Sequence, residues 1–130
     1  MKIHDISTLI HPDMIVYKNK IDKKPVITVV SDYSKGTSYE SRALLDMHVG
    51  THMDAPLHMV EGGDTIDNQD LYKCVTDCKV FDLAHVEEKI EMSHIQGFSI
   101  EEDDFIIFKT RNSFAKEFDF KFVFISTEVA

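Results

Sequence analysis

The order of apolar and polar positions divides the chain into short extended stretches separated by turn signals. Lys2 to Ile6 alternates and predicts a short strand, and His11, Pro12 and Asp13 form a turn cluster behind it. Pro25 precedes Val26-Ile27-Thr28-Val29-Val30. Branched side chains suit a pleated surface better than a helix, so this run predicts a strand. Residues 32–38 carry Ser, Lys and Gly and predict a loop, and Tyr39 to His48 is strand-like, with Ala43, Leu44 and Leu45 ambiguous. Glu61-Gly62-Gly63-Asp64 marks a turn. Asn68 to Cys78 predicts a short helix and its exit, Lys79 to Leu83 (KVFDL) a buried strand, and Glu87 to His94 a helical turn or two. Phe105 to Lys109 (FIIFK) and Phe120 to Ile125 (FKFVFI) predict two further strands. Ser126-Thr127-Glu128 has a hydroxyl N-cap and an acid in the first turn, which predicts a helix start. One turn cannot bury an amphipathic face. The expectation is therefore a strand-rich α/β (α+β) domain over residues 1–130, single and incomplete, cut at the start of a C-terminal helix.

Composition narrows the partners. Apolar residues make up 43% and charged residues 28% of 130 positions, as in ordinary globular domains. The net charge is −9, which repels nucleic-acid phosphate and argues against DNA or RNA as a partner. Lys18, Lys20, Lys23 and Lys24, interrupted by Asp22, read as a solvated loop. No apolar run approaches the roughly 20 residues of a membrane span, and MKIHDIST lacks the apolar core of a secretory signal. The expected location is the cytoplasm. Cys74 and Cys78 are spaced C-x-x-x-C, unlike redox or zinc-ribbon motifs, and read as reduced thiols.

The densest chemistry lies at residues 48–58, HVGTHMDAPLH, which hold three of the seven histidines. His48, His52 and Asp54 are candidate metal ligands, because imidazole and carboxylate suit zinc, manganese and iron. On a helix Asp54 falls on the face opposite the two histidines, so this is not the helical H-E-x-x-H pattern. On a strand the even positions share a face, but His48 and Asp54 lie about 20 Å apart at roughly 3.3 Å per residue. Metal–ligand bonds are only about 2 Å long. The spacing therefore predicts a strand entering near Leu45, a bend at Gly50 and a tight loop around one ion, with Pro56 ending ladder pairing. His58 is the candidate general acid/base, and a further ligand is the other role open to it. In this scheme a metal-bound water attacks a carbonyl and His58 takes and returns the proton.

This stretch resembles the H-x-G-T-H-x-D-x-P-x-H signature of the cyclase-like metal-dependent hydrolases, whose members include bacterial kynurenine formamidase and isatin hydrolase. Asp5-Ile6-Ser7 resembles the family's opening D-[LI]-[ST], Pro12 to Tyr17 the loop that follows, Phe105 to Thr110 the strand ending in Lys/Arg-Thr, and Ser126 to Ala130 the start of the next helix. The resemblance implies a swivelling β/β/α domain, dimeric or tetrameric, acting on a small-molecule amide or cyclic amide of the aryl formamide type. It places metal ligands on His48, His52 and Asp54 and the acid/base on His58. The implied cofactor is Zn2+ or Mn2+, and family members are often binuclear. A second ion takes a downstream histidine and glutamate, and neither His85 nor His94 sits in the matching context. Where relatives carry Tyr-Pro-Gly, this chain has Tyr17-Lys18-Asn19, and Tyr17 is a candidate lining residue of the substrate pocket.

Two rival readings follow from the same residues. In one, His52-Met53-Asp54 with a distal His85 or His94 forms the facial triad of a non-haem iron oxygenase, which leaves His48 idle. In the other, the chain is a non-catalytic metal-binding remnant that lacks the second metal site.

Overall fold

The computed structural model describes residues 2–73 and 75–130. By backbone contacts it divides into two compact units, Met1–Asp54 and Ala55–Ala130.

In the unit Met1–Asp54, strands β1 (Val26–Ser31) and β2 (Glu40–Leu44) form an antiparallel pair. The register runs from Val26 opposite Leu44 to Ser31 opposite Glu40, with an irregularity between Val29 and Ser31. Pro25 is fully buried just before β1, where its missing N–H interrupts no ladder bond. A small core forms from Met14, Val16 and Val49, with Leu45 packed against it. Val49 is the residue after His48, so burial of one side chain fixes the start of the histidine-rich loop. The alternation at Lys2–Ile6 does not become a strand; the segment carries no regular structure. It is tied instead by side-chain bonds, with Ser7 N–H donating to Asp5 at 2.8 Å and Thr8 N–H to Thr51 at 2.9 Å. In the lysine-rich loop, Lys23 pairs with Asp46 at 2.5 Å, and Lys18 adopts a left-handed backbone with its amine 5.0 Å from the Tyr17 ring centre.

In the unit Ala55–Ala130, β3 (Cys78–Asp82) and β5 (Phe105–Lys109) pair in parallel, Cys78 opposite Phe105 through to Asp82 opposite Lys109. Parallel strands need a crossover. Here it carries β4 (Lys89–Ile90) and the single-turn helix α1 (Met92–Ile95). β4 pairs in parallel with β6 (Phe124–Ile125). The core consists of Phe81, Leu83, Val86, Ile90, Ile95 and Val123, flanked by Ile106, Phe108 and Val129. Phe98 stacks on Phe81 with ring centres 4.0 Å apart. Arg111 joins three stretches: it donates to Asp119 at 2.8 Å, to the Glu87 carbonyl at 3.3 Å and to the Lys121 carbonyl. Asn112 forms a two-way pair with the Val123 backbone, both bonds 2.8 Å.

Three expected elements shrink. The helix expected over 68–78 is replaced by single 3-10 turns at Ile66–Asn68 and Leu71–Lys73, and Cys78 already belongs to β3. Cys74 lies outside the described residues, and Cys78 is an exposed free thiol. Of FKFVFI only Phe124–Ile125 pairs, and 126–130 closes as a turn in which Val129 and Ala130 donate to the Ser126 carbonyl. The Ser126 hydroxyl is buried and makes no capping bond.

Candidate metal centre

The straight-strand distance of about 20 Å between His48 and Asp54 does not occur. β2 ends at Leu44, the chain bends through 47–51, and His48 Nδ1 lies 2.8 Å from Asp54 Oδ1. The reversal depends on Gly50, whose φ is +67°. An L-residue in that region costs roughly 1–2 kcal/mol, and a Cβ on Gly50 would approach Met14 Cε at 3.3 Å. The expected bend is therefore present and falls on the residue best able to make it.

The bend also orients His52. Its Nδ1 lies 3.0 Å from the Gly50 carbonyl. A carbonyl only accepts, so Nδ1 carries the proton and the neutral ring has its lone pair on Nε2. Nε2 faces Asp54 Oδ1 at 3.5 Å. His48 and His52 meet edge to face, with ring centres 5.4 Å apart. Two imidazoles and a carboxylate are donor types that suit a divalent transition metal.

Side chains that the pattern reading passed over hold the loop in place. Asp46 accepts from Lys23 and from the His48 backbone N–H at 3.2 Å. The Lys23 hydrogen bond, and then the His48 N–H, hold the Asp46 carboxyl below its ordinary range. Thr51 Oγ1 accepts from Thr8 N–H at 2.9 Å and lies 3.1 Å from Thr8 Oγ1. Lys23 is 23 positions from Asp46 and Thr8 is 43 from Thr51, separations that no local pattern reveals.

His58 closes the 3-10 turn Pro56–His58 in the second unit and is exposed. That turn is tight: Leu57 N–H donates to the Asp64 carbonyl at 3.1 Å and Gly63 N–H to Val60 at 2.9 Å. A Cβ on Gly63 would meet the Pro56 backbone at 2.8 Å. The glycine pair read as a turn thus closes back on the segment that carries His58. His94 Nδ1 accepts from Glu91 N–H at 2.9 Å, so neutral His94 has its proton on Nε2 and no lone pair for a metal. This counts against His94 as the distal ligand of an oxygenase triad. Tyr17 lies in a 3-10 turn, half exposed. A cavity of about 680 Å³ in the second unit is lined by Glu87, Arg111, Phe120, Phe122 and neighbours, and contains none of the four predicted site residues.

The fold and its neighbours define the class first. Over 96% of this chain and 58% of its own length, a solved structure described as a potential metal-dependent hydrolase with cyclase activity superposes with a TM-score of 0.84 at 45% identity. A "predicted metal-dependent hydrolase" from Bacillus stearothermophilus matches 96% of this chain and 60% of its own, with a TM-score of 0.79 at 46% identity. The mixed α/β architecture is that of the cyclase-like metal-dependent hydrolases. Residues 4–130 match the model of the Cyclase family ("Putative cyclase"), and the chain belongs to that family. The kynurenine formamidase of Sphingopyxis alaskensis is 26% identical over 84 residues, 64% of this chain and 40% of the formamidase. The chain thus spans less than two thirds of the length of each of these relatives.

Proposed function

We propose that this chain carries the hydrolytic centre of a metal-dependent amidase acting on an amide or cyclic amide, with aryl formamides as the first class to test. The observation that carries the reading is the convergence of His48 Nδ1 and His52 Nε2 on one oxygen of Asp54. A divalent ion, Zn2+ or Mn2+, supplies Lewis acidity that activates water toward a carbonyl. His48, His52 and Asp54 hold it. His58, four residues beyond Asp54, accepts the proton of the attacking water and returns it to the leaving amine. The His52 separation is the longer of the two. In a variant of the reading His58 is a further ligand rather than the acid/base.

The kynurenine formamidase relative and the hydrolase neighbours support the substrate class. Among the described residues, no helix is long and apolar enough to cross a membrane. A cytoplasmic enzyme with a small-molecule substrate is the setting proposed. Self-association is part of the proposal, supported by exposed Val26, Ile27, Val29 and Val30 on β1. The test is to purify the chain, measure bound metal, and assay an aryl formamide against His58→Ala. Metal binding with turnover that His58→Ala abolishes is the expected result. Metal binding with no His58-dependent turnover favours a non-catalytic metal-binding protein, and absence of metal removes the site.

A further inference from the structure

We propose that Thr51 is a positioning residue of the metal centre, clasping the loop between His48 and His52 to the Ile6–Thr8 segment so that both imidazoles face Asp54 before a cation arrives. The inference rests on the metal-site reading above. Upstream of the Gly50 bend the loop has two anchors, the buried Val49 side chain and the Asp46–Lys23 pair. Downstream, residues 51–54 are all exposed, so burial does not hold them.

Thr51 supplies the missing anchor. Its Oγ1 accepts from Thr8 N–H at 2.9 Å, and its single proton is shared between Thr8 Oγ1 at 3.1 Å and the Ile6 carbonyl at 3.4 Å. These bonds join positions 43 residues apart. They tie down the stretch after Gly50, where the glycine backbone itself gives little restraint. Without them His52 would sample orientations that do not face Asp54, and each must be given up when a metal binds. Partners beyond the ligands typically change metal affinity by 10–100-fold.

The experiment measures Zn2+ affinity by competition calorimetry, with folding followed by circular dichroism. Thr51→Val keeps the shape and removes the donor and acceptor, and Thr51→Ser keeps both. The expected result is a loss of about tenfold for Thr51→Val, the lower end of that range, wild-type affinity for Thr51→Ser, and unchanged secondary structure in both. Equal affinity in Thr51→Val and wild type, with binding abolished in His52→Ala, overturns the clasp and leaves the metal site standing. Failure of the wild type to bind Zn2+ overturns both. Should Thr51→Val not fold, Thr8→Pro deletes the opposing N–H donor and carries the test, with the same tenfold loss expected and wild-type affinity overturning the clasp.

Discussion

In the unit Ala55–Ala130, six buried apolar side chains among the described residues pack beside a parallel strand pair. In Met1–Asp54 the core is three side chains, and β1 and β2 leave their large apolar residues exposed. Order there comes from a left-handed glycine, an ion pair and a threonine clasp. The candidate metal ligands lie in the second kind of structure. Such a site is set by hydrogen-bond geometry rather than by packing density, so its chemistry and the protein's stability are expected to respond to different mutations.

Substitutions that separate the two regions can be ranked. Leu83, 1% exposed, lies in the apolar core, and Leu83→Ala is expected to cost about 2–5 kcal/mol in a denaturant melt. A cost below 1 kcal/mol would show that the core does not carry the stability assigned to it. Gly50→Ala is expected to cost about 1–2 kcal/mol and to weaken metal binding as well, because the strain falls on the turn that brings His48 to Asp54. Loss of stability with unchanged metal affinity would separate the bend from the site.

Asp54→Asn is expected to change stability by less than about 0.5 kcal/mol, as for other exposed substitutions, while removing metal binding. The smallest effect is electrostatic. Hydrogen bonds from Lys23 and then His48 N–H lower the Asp46 carboxyl, and those from Lys79 and then Glu101 N–H lower Asp104. A depressed carboxylate contributes stability above its unfolded value, near 3.9, and loses it as pH falls through the folded value. Lys23 and Lys79 are raised by the same hydrogen bonds, so their contribution is present below an unfolded value of about 10.4 and lost above the folded one. A thermal melt should therefore be flat from these pairs between pH 5 and 9 and fall below about pH 4. Slopes inside that plateau would contradict the assignment of the pH dependence to these pairs.

Strand β5 was legible from FIIFK residue by residue, and β1 and β3 within a residue at their ends, because short apolar runs bounded by turns have few alternatives. Lys2–Ile6 and Phe120–Val123 were misread for one reason. Alternation favours a strand only when a partner offers a ladder, and here backbone groups are taken by side chains such as Thr51 at the Ile6 carbonyl and Asn112 at Val123. At the site, the Gly50 bend was readable from parity and reach. The Lys23–Asp46 and Thr8–Thr51 partners were not, because they come from tertiary proximity across 23 and 43 positions.

The most direct test is metal stoichiometry of the purified chain by elemental analysis after dialysis with Zn2+ or Mn2+, wild type beside Asp54→Asn and His48→Ala. The convergence on Asp54 Oδ1 predicts about one ion per chain in the wild type, as for a single three-ligand site, and near zero in both variants. Wild-type protein without metal, or variants that retain as much as wild type, would contradict it.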